Sequence, residues 1–338
     1  MQTKGREKLM RYLGSKVSLL KKIEQLIDGY KGGIFCDPFG GIGTVGAFMK
    51  QNGYRVVTGD ILKFAYYFQR SIITFEDQII SESLKKSIDL PTLEELEIYL
   101  SSIITKDGWL IEEYARKRQF FTIENAYHIQ ACIDCINSWR AQRIIDEDEY
   151  IILVTSLINS FDKVANTAGT YYAYLKHFYR KAMRPFRFSL VHPREGMVGC
   201  AYQMNANDLV KQTECDILYL DPPYNSRDYG SYYHLPETVS LGVEPKPTGK
   251  SGVFHTHKRR SEYNGTNATA VFEKLIKSAN AKCIIFHYTD NGLIDMDRAK
   301  ITMQEKGTKF EEYYFDCRGY TTTKETANNS HHIMKVSL

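Results

Sequence analysis

The chain has 338 residues, 43% apolar and 25% charged, with 44 Lys and Arg against 40 Asp and Glu for a net charge of +4. That composition describes a folded globular protein and excludes a disordered, collagenous or disulfide-stapled chain. No run approaches the ~18 to 20 apolar residues that cross a bilayer, and the charged N-terminus MQTKGREKLMRY lacks the apolar stretch of a secretory leader. Seven scattered cysteines fit reduced thiols and a cytoplasmic protein.

In chain order, the apolar spacing of Leu13 to Leu26 predicts a short amphipathic helix, ended by Gly32-Gly33. The strand IFCDPF follows, then the loop GGIG, a helix TVGAFMKQ, and a second strand YRVVTGD ending in Asp60. A β-loop-α-β unit of this kind opens a doubly wound sheet. From about 65 to 165 the periodicity is helical: Thr92 and Glu95 form a capping box, with Leu93, Leu96, Leu100 and Ile103 behind it on one face. Cys132-x-x-Cys135 has no second pair or histidine cluster to complete a zinc site, so it reads as two small apolar residues on a helix and no metal is expected. Short buried strands return with DILYLDPPY, KCIIFHY and FEEYYFD. A sheet-forming part is thus split by a largely helical insertion.

The charge is unevenly spread. Residues 4–22 hold seven basic residues and one acidic. Residues 176–187, KHFYRKAMRPFR, hold five basic residues, no acidic one and three aromatics, and residues 246–260 hold five more basic residues in a Gly- and Pro-containing stretch. Basic segments interleaved with aromatics suit a polyphosphate, and three of them favour nucleic acid.

The loop FCDPFGGIGTVG has two readings. Gly41, Gly43 and Gly46 satisfy the G-x-G-x-x-G spacing of a dinucleotide turn, a weak signal taken alone. Asp37 ahead of them works against a pyrophosphate and suits a ligand with a positive charge and an amino group, which S-adenosylmethionine is. Asp60, ending the next strand, can accept from ribose hydroxyls in either reading. The tetrapeptide Asp221-Pro-Pro-Tyr224 favours the second. It follows an apolar strand directly, and consecutive prolines hold the chain extended with carbonyls free of local competition. An exocyclic amine fits there, one hydrogen on the Asp221 carboxylate and one on the Pro222 carbonyl, with the base stacked on Tyr224.

With RYLGSK at 11–16, DPFGGIGTVG at 37–46 and DPPY at 221–224 in that order, the sequence resembles the N6-adenine DNA methyltransferases of the Dam-like D12 class, enzymes of type II restriction-modification systems. The resemblance implies an α/β, Rossmann-like, doubly wound methyltransferase sheet built from residues 1–64 and 200–338, with a largely helical target-recognition insertion at 65–199. It implies S-adenosylmethionine as cofactor, held by Tyr12 and Lys16 of the N-terminal motif, the lysine meeting the methionine carboxylate. Asp37, Phe39, Gly40 and Gly41 line the methionine end, Asp60 the ribose, and Asp208 in MNANDLV the adenine amine. Asp221, Pro222 and Tyr224 are the catalytic residues. GGIG stands where AGSG is commoner in the family. DNGLI at 290–294 is similar to the family's later strand and loop, and VANTAGTYYAYLK at 164–176 resembles a recurrent segment whose Asn, Thr and Tyr side chains read bases or phosphates. The implied partners are double-stranded DNA, bound by a monomer, and a separate cognate restriction endonuclease in a bacterial cytoplasm, with no membrane.

Other chemistries account for less of the sequence. Cytosine-C5 transfer needs a cysteine nucleophile, usually after proline, and none of the nine prolines precedes a cysteine. N4-cytosine enzymes favour Ser in place of Asp221. An RNA adenine methyltransferase usually carries its binding module at a terminus and not as an insertion. A nicotinamide oxidoreductase leaves DPPY and the basic segments unexplained, and a catalytically dead DNA-binding module leaves unexplained why Asp37, Asp60, Asp221 and Tyr224 are all present.

Overall fold

The computed structural model describes residues 8–77, 80, 84–85, 88–254, 260–289, 292–318 and 328–338. These contain seven strands: β1 (Ile34–Asp37), β2 (Arg55–Asp60), β3 (Cys200–Gln203), β4 (Glu214–Leu220), β5 (Asn280–Tyr288), β6 (Lys309–Arg318) and β7 (Asn328–Ser337). They form one sheet in the order β3-β2-β1-β4-β5-β7-β6. The first five in that row run parallel, and β7 runs antiparallel to both β5 and β6. Successive strands step outward from β1 in one direction and from β4 in the other. The order therefore reverses between these two central neighbours, where open α/β sheets place their ligands at the carboxyl ends of the strands.

Local chemistry accounts for most helix boundaries. α1 (Leu20–Leu26) is shorter than the expected 13–26, because residues before it form turns. α2 (Thr44–Gln51) starts on Gly43, whose φ of 78° lies in the left-handed region that glycine enters without strain. α3 (Lys63–Ile73) follows β2. In α4 (Leu93–Ser102) the expected capping box is complete, Thr92 accepting from the Glu95 amide and Glu95 accepting from the Thr92 amide. Two longer helices follow, α5 (Ile123–Ala141) and α6 (Glu147–Asp162), the latter capped by Asp146 and Glu149. α7 (Ala206–Gln212) follows β3, and α8 (His234–Leu241), α9 (Ala268–Ser278) and α10 (Met296–Lys306) complete the set used below. On one side of the sheet Phe272 and Leu275 of α9 pack against Ile284 and Phe286 of β5 in a continuous apolar core. No helix among the described residues is long and apolar enough to cross a membrane.

The chain divides into two compact units. The sheet unit comprises Lys16–Gln69, Arg194–Asp228 and Arg259–Leu338. The helical unit comprises Met1–Ser15, Arg70–Pro193 and Tyr229–Lys258. The insertion expected at 65–199 compares with 70–193, and the helical unit also takes in two segments that the sequence reading assigned to the sheet, at the N-terminus and after 228. Both contribute aromatics to it: Tyr12 stacks on Tyr233 at 4.9 Å, and Tyr172 on Tyr232 at 5.0 Å. Cys132 and Cys135 lie on α5, with the buried Cys132 thiol donating to the Leu100 carbonyl.

Candidate active site

In the sheet unit, β1 ends on Asp37 and β4 on the residue before Asp221, and the two strands are direct neighbours through Cys36 and Leu218. Sheet pairing alone therefore brings two carboxylates, 184 residues apart in sequence (221 − 37), to the same edge. Asp37 is buried and accepts a hydrogen bond from the Phe39 amide at 3.2 Å. Burial first, and then the negative charge of Asp221, push its carboxyl up to about 8, so it holds its proton at neutral pH.

The glycine loop is held tightly from below. The Gly40 amide donates to the Gly59 carbonyl at 3.0 Å, and the Gln69 side chain donates to the Gly41 carbonyl at 2.7 Å. A Cβ on Gly40 would stand 2.2 Å from Thr58 Oγ1 and 2.8 Å from Gln69 Nε2, so any side chain here forces its neighbours apart. Asp60 accepts from the Gly41 amide at 3.2 Å through one oxygen and from the Leu62 amide at 2.9 Å through the other. A loop amide that a dinucleotide fold aims at pyrophosphate is here turned to a carboxylate. Phe39 packs edge-on to Tyr263 with ring centres 5.0 Å apart, and the Tyr263 hydroxyl donates to Asn207 at 2.7 Å.

The DPPY tetrapeptide forms a second cluster. Lys16, buried, places its ammonium 2.5 Å from Asp221 Oδ2, and the Tyr224 hydroxyl donates to Asp221 Oδ1. The same ammonium lies 5.1 Å from the centre of the Tyr224 ring, a cation–π contact. Tyr288 meets that ring edge-on at 5.1 Å, and the Leu293 amide donates to the Tyr224 carbonyl at 3.0 Å. Beyond the tetrapeptide, Asn264 donates to the Asn225 and Arg227 carbonyls at 2.6 and 3.1 Å and pins the following loop. Pro222 is buried, while Asp221 keeps 17% side-chain exposure.

Several expected residues are thus brought together: Lys16, Asp221 and Tyr224 in direct contact, and Asp37, Phe39, Gly40, Gly41 and Asp60 on adjoining strand ends and their loop. Asp221, Asp60 and Lys16 all act electrostatically on Asp37. Asp208 is exposed at the start of α7, paired with Lys211 at 3.6 Å, and Tyr12 belongs to the helical unit. In the segment VANTAGTYYAYLK the side chains divide between the interior and the surface, with Thr170 and Tyr174 half-buried. Asn166 and Tyr171 are buried and spent on internal hydrogen bonds, and Tyr172 is exposed. Asp290 and Asn291 of DNGLI, and 255–259 and 4–7 of the basic segments, lie outside the described residues.

Three residues that sequence reasoning passed over stand behind the carboxylates. Tyr219 of β4 and His287 of β5 are buried, with the Tyr219 hydroxyl 2.9 Å from His287 Nδ1, and His287 Nε2 lies 2.9 Å from His331 Nδ1 on β7. Burial, reinforced by the Lys16 charge, holds both imidazoles below their ordinary range, so they are neutral at pH 7. Their polar side chains in apolar strands were the available signal. Among the described residues no cluster of His, Cys, Asp or Glu is arranged to hold a metal ion.

A family model described as D12 class N6 adenine-specific DNA methyltransferase matches residues 12–289. The chain is 33% identical over 332 residues to the type II methyltransferase M.NlaIII of Neisseria lactamica, with 95% of each chain covered. It is also 33% identical over 312 residues to the type II methyltransferase M.FokI of Planomicrobium okeanokoites, covering 88% of this chain but 47% of that longer one. The type II methyltransferase M.CviAII of Paramecium bursaria Chlorella virus 1 is 28% identical over 296 residues, with 84% of each covered.

Proposed function

The chain belongs to the D12 class N6 adenine-specific DNA methyltransferases, and from that premise we propose that it takes its methyl group from S-adenosylmethionine and delivers it to an adenine rotated out of duplex DNA. The enzyme methylates DNA at adenine and uses a methyl-donating cofactor; the identity of the donor and the roles of single residues are the proposal. The observation that carries it is the meeting of Asp37 and Asp221 at the carboxyl ends of neighbouring strands β1 and β4, at the point where the strand order reverses.

The donor set suits S-adenosylmethionine. Its sulfonium and ammonium are cations, which would favour ionisation of buried Asp37, and its ribose offers hydroxyl donors to half-buried Asp60, whereas a pyrophosphate would be repelled by the Asp60 carboxylate and find the Gly41 amide already taken. Asp37, Phe39, Gly40 and Gly41 would hold the methionine end, Lys16 its carboxylate, Asp60 the ribose and Asp208 the adenine ring amine, with Tyr12 completing the N-terminal motif. When bound, the cofactor supplies an electrophilic methyl group.

The chain's own residues act on the target. The Asp221 carboxylate and Pro222 carbonyl accept the two hydrogens of the adenine amine, which draws the nitrogen toward tetrahedral geometry and makes its lone pair nucleophilic. As the new N–C bond forms and the sulfur–methyl bond of the donor breaks, leaving a neutral thioether, positive charge passes to that nitrogen, and the Asp221 carboxylate would stabilise it and take its proton. Tyr224 supplies the aromatic face on which the extruded base stacks. Lys16 and the Tyr224 hydroxyl each contact one oxygen of Asp221 and hold its carboxylate in position, leaving lone pairs on both oxygens for the amine.

The type II names of the relatives support a role in restriction-modification; a separate cognate endonuclease, a monomer acting on double-stranded DNA and a bacterial cytoplasm belong to the same proposal. Asp221→Ala tests the assignment. It should abolish transfer, by on the order of 10² or more in rate, while donor binding measured by calorimetry persists. Near-normal turnover in Asp221→Ala would remove Asp221 from the chemistry.

A further inference from the structure

The helical unit carries a segment, residues 176–187, that has no helix or strand and yet is firmly built. Two buried asparagines hold it from beneath. Asn166, past the end of α6, donates to the carbonyls of Gln119 at 2.9 Å and Leu175 at 3.0 Å, and accepts from the Tyr179 amide at 3.0 Å. Asn125 of α5 donates to the carbonyls of Ala182 at 3.1 Å and Arg184 at 2.9 Å, and accepts from the Phe186 amide at 2.8 Å. Each side-chain amide thus spends three bonds on backbone, as a fully buried amide must. Ala182 and Phe186 point inward and are buried. Lys181 is tied to Asp162 at 3.5 Å.

What this scaffold presents outward is unusual for a surface. Tyr179 is 66% exposed and Met183 64%, with Phe178 beside them at 37%. Lys176, Arg180, Arg184 and Arg187 are exposed around them, and the segment contains no acidic residue. A floppy loop would fold such apolar side chains against its own body; here the asparagine clamps fix the backbone and keep them out. A partner matching both features must offer closely spaced negative charge and, between the charges, flat apolar surface. Duplex DNA has phosphates and base stacks in that arrangement.

We propose that residues 176–187 form a preformed DNA-reading loop, in which Arg180, Arg184 and Arg187 engage phosphates and Tyr179 and Met183 contact bases, so that the loop governs which sites are methylated. This rests on the DNA-methylation reading and deepens it. Because the loop is ordered before DNA arrives, binding does not have to bear the entropy of ordering it. The arginines set affinity without regard to sequence, and the two apolar side chains set preference among sequences.

The test uses the full chain with plasmid DNA and S-adenosylmethionine, mapping methylated adenines by sequencing, and measures DNA affinity against salt. Tyr179→Ala with Met183→Ala should lower methylation at the wild-type sites at least tenfold and raise the share of methylation at sites differing by one base pair. Tyr179→Phe, which keeps the ring, should retain most of the wild-type preference. Arg180→Gln with Arg184→Gln should weaken binding to all sequences alike and reduce the slope of log affinity against log salt by about 1.8, at about 0.9 per phosphate contact. Thermal unfolding and donor binding should match the wild type throughout, since all four residues are exposed. The inference is overturned if the apolar pair changes neither rate nor site preference, if it weakens all sites equally, or if the arginine pair leaves the salt slope intact. A wild-type chain that methylated no adenine in any DNA would overturn the function itself, a result separable from these.

Discussion

A buried carboxyl raised to about 8 makes Asp37 a proton-linked part of the proposed cofactor site. In the free protein below pH 8 it is mostly protonated and neutral. A bound cation favours its ionised form, so binding drives the proton off. The apparent affinity for S-adenosylmethionine should therefore rise by up to about tenfold per pH unit as the pH approaches 8 from below, and level off above it. Calorimetry in buffers of different ionisation enthalpy should register release of close to one proton at pH 7 and fewer at pH 9. In Asp37→Asn that release should vanish; its persistence would move the linkage to another group.

At the level of the element, the turn from β1 into α2 is a close-packed joint in which Thr58 of β2 and Gln69 of α3 press against Gly40. Adding a methyl there is overpacking, which costs about 1 to 3 kcal/mol. Gly40→Ala should lower the melting temperature by several degrees and weaken donor binding. Gly29→Ala makes a good comparison, because a Cβ at Gly29 meets nothing within 4 Å and its backbone is unstrained. If the two variants melted alike, the joint would have more room than its distances imply. The same element logic explains Lys16: a residue in the turns before α1 reaches a carboxylate 205 positions later because β4 delivers it there.

Across the whole molecule, each compact unit is assembled from three separated stretches of chain. β1 and β2 stand between β4 and β3, which come more than 130 residues after them, so the early sheet segment has few local contacts to stabilise it. A chain ending at residue 199 should thus be cut by protease within 16–69 as readily as an unfolded chain. In the same digest the capped helices α4 to α6 should be degraded more slowly. Protection of 16–69 in that truncated chain would mean that β1, β2 and their helices fold without the rest of the sheet.

Much of this architecture is legible from the sequence alone where the controlling forces are local. The glycine turn into α2, the Thr92–Glu95 capping box and the DPPY end of β4 rest on backbone conformation and nearest neighbours, and each is readable within a dozen residues. The resemblance that those motifs support is matched by the family model over residues 12–289. β3, four residues long and half exposed, gives almost no alternating pattern, and nothing in the residues of β7 announces that it pairs antiparallel with both β5 and β6. Likewise only the tertiary structure decided that Lys16 and the Tyr224 hydroxyl contact the oxygens of Asp221, that His287 and His331 stand neutral behind it, and that Asn166 and Asn125 clamp a loop instead of touching a ligand. Hydrogen bonds of that kind join residues tens to hundreds of positions apart, and composition, spacing and periodicity carry no record of which distant partner a polar side chain will meet.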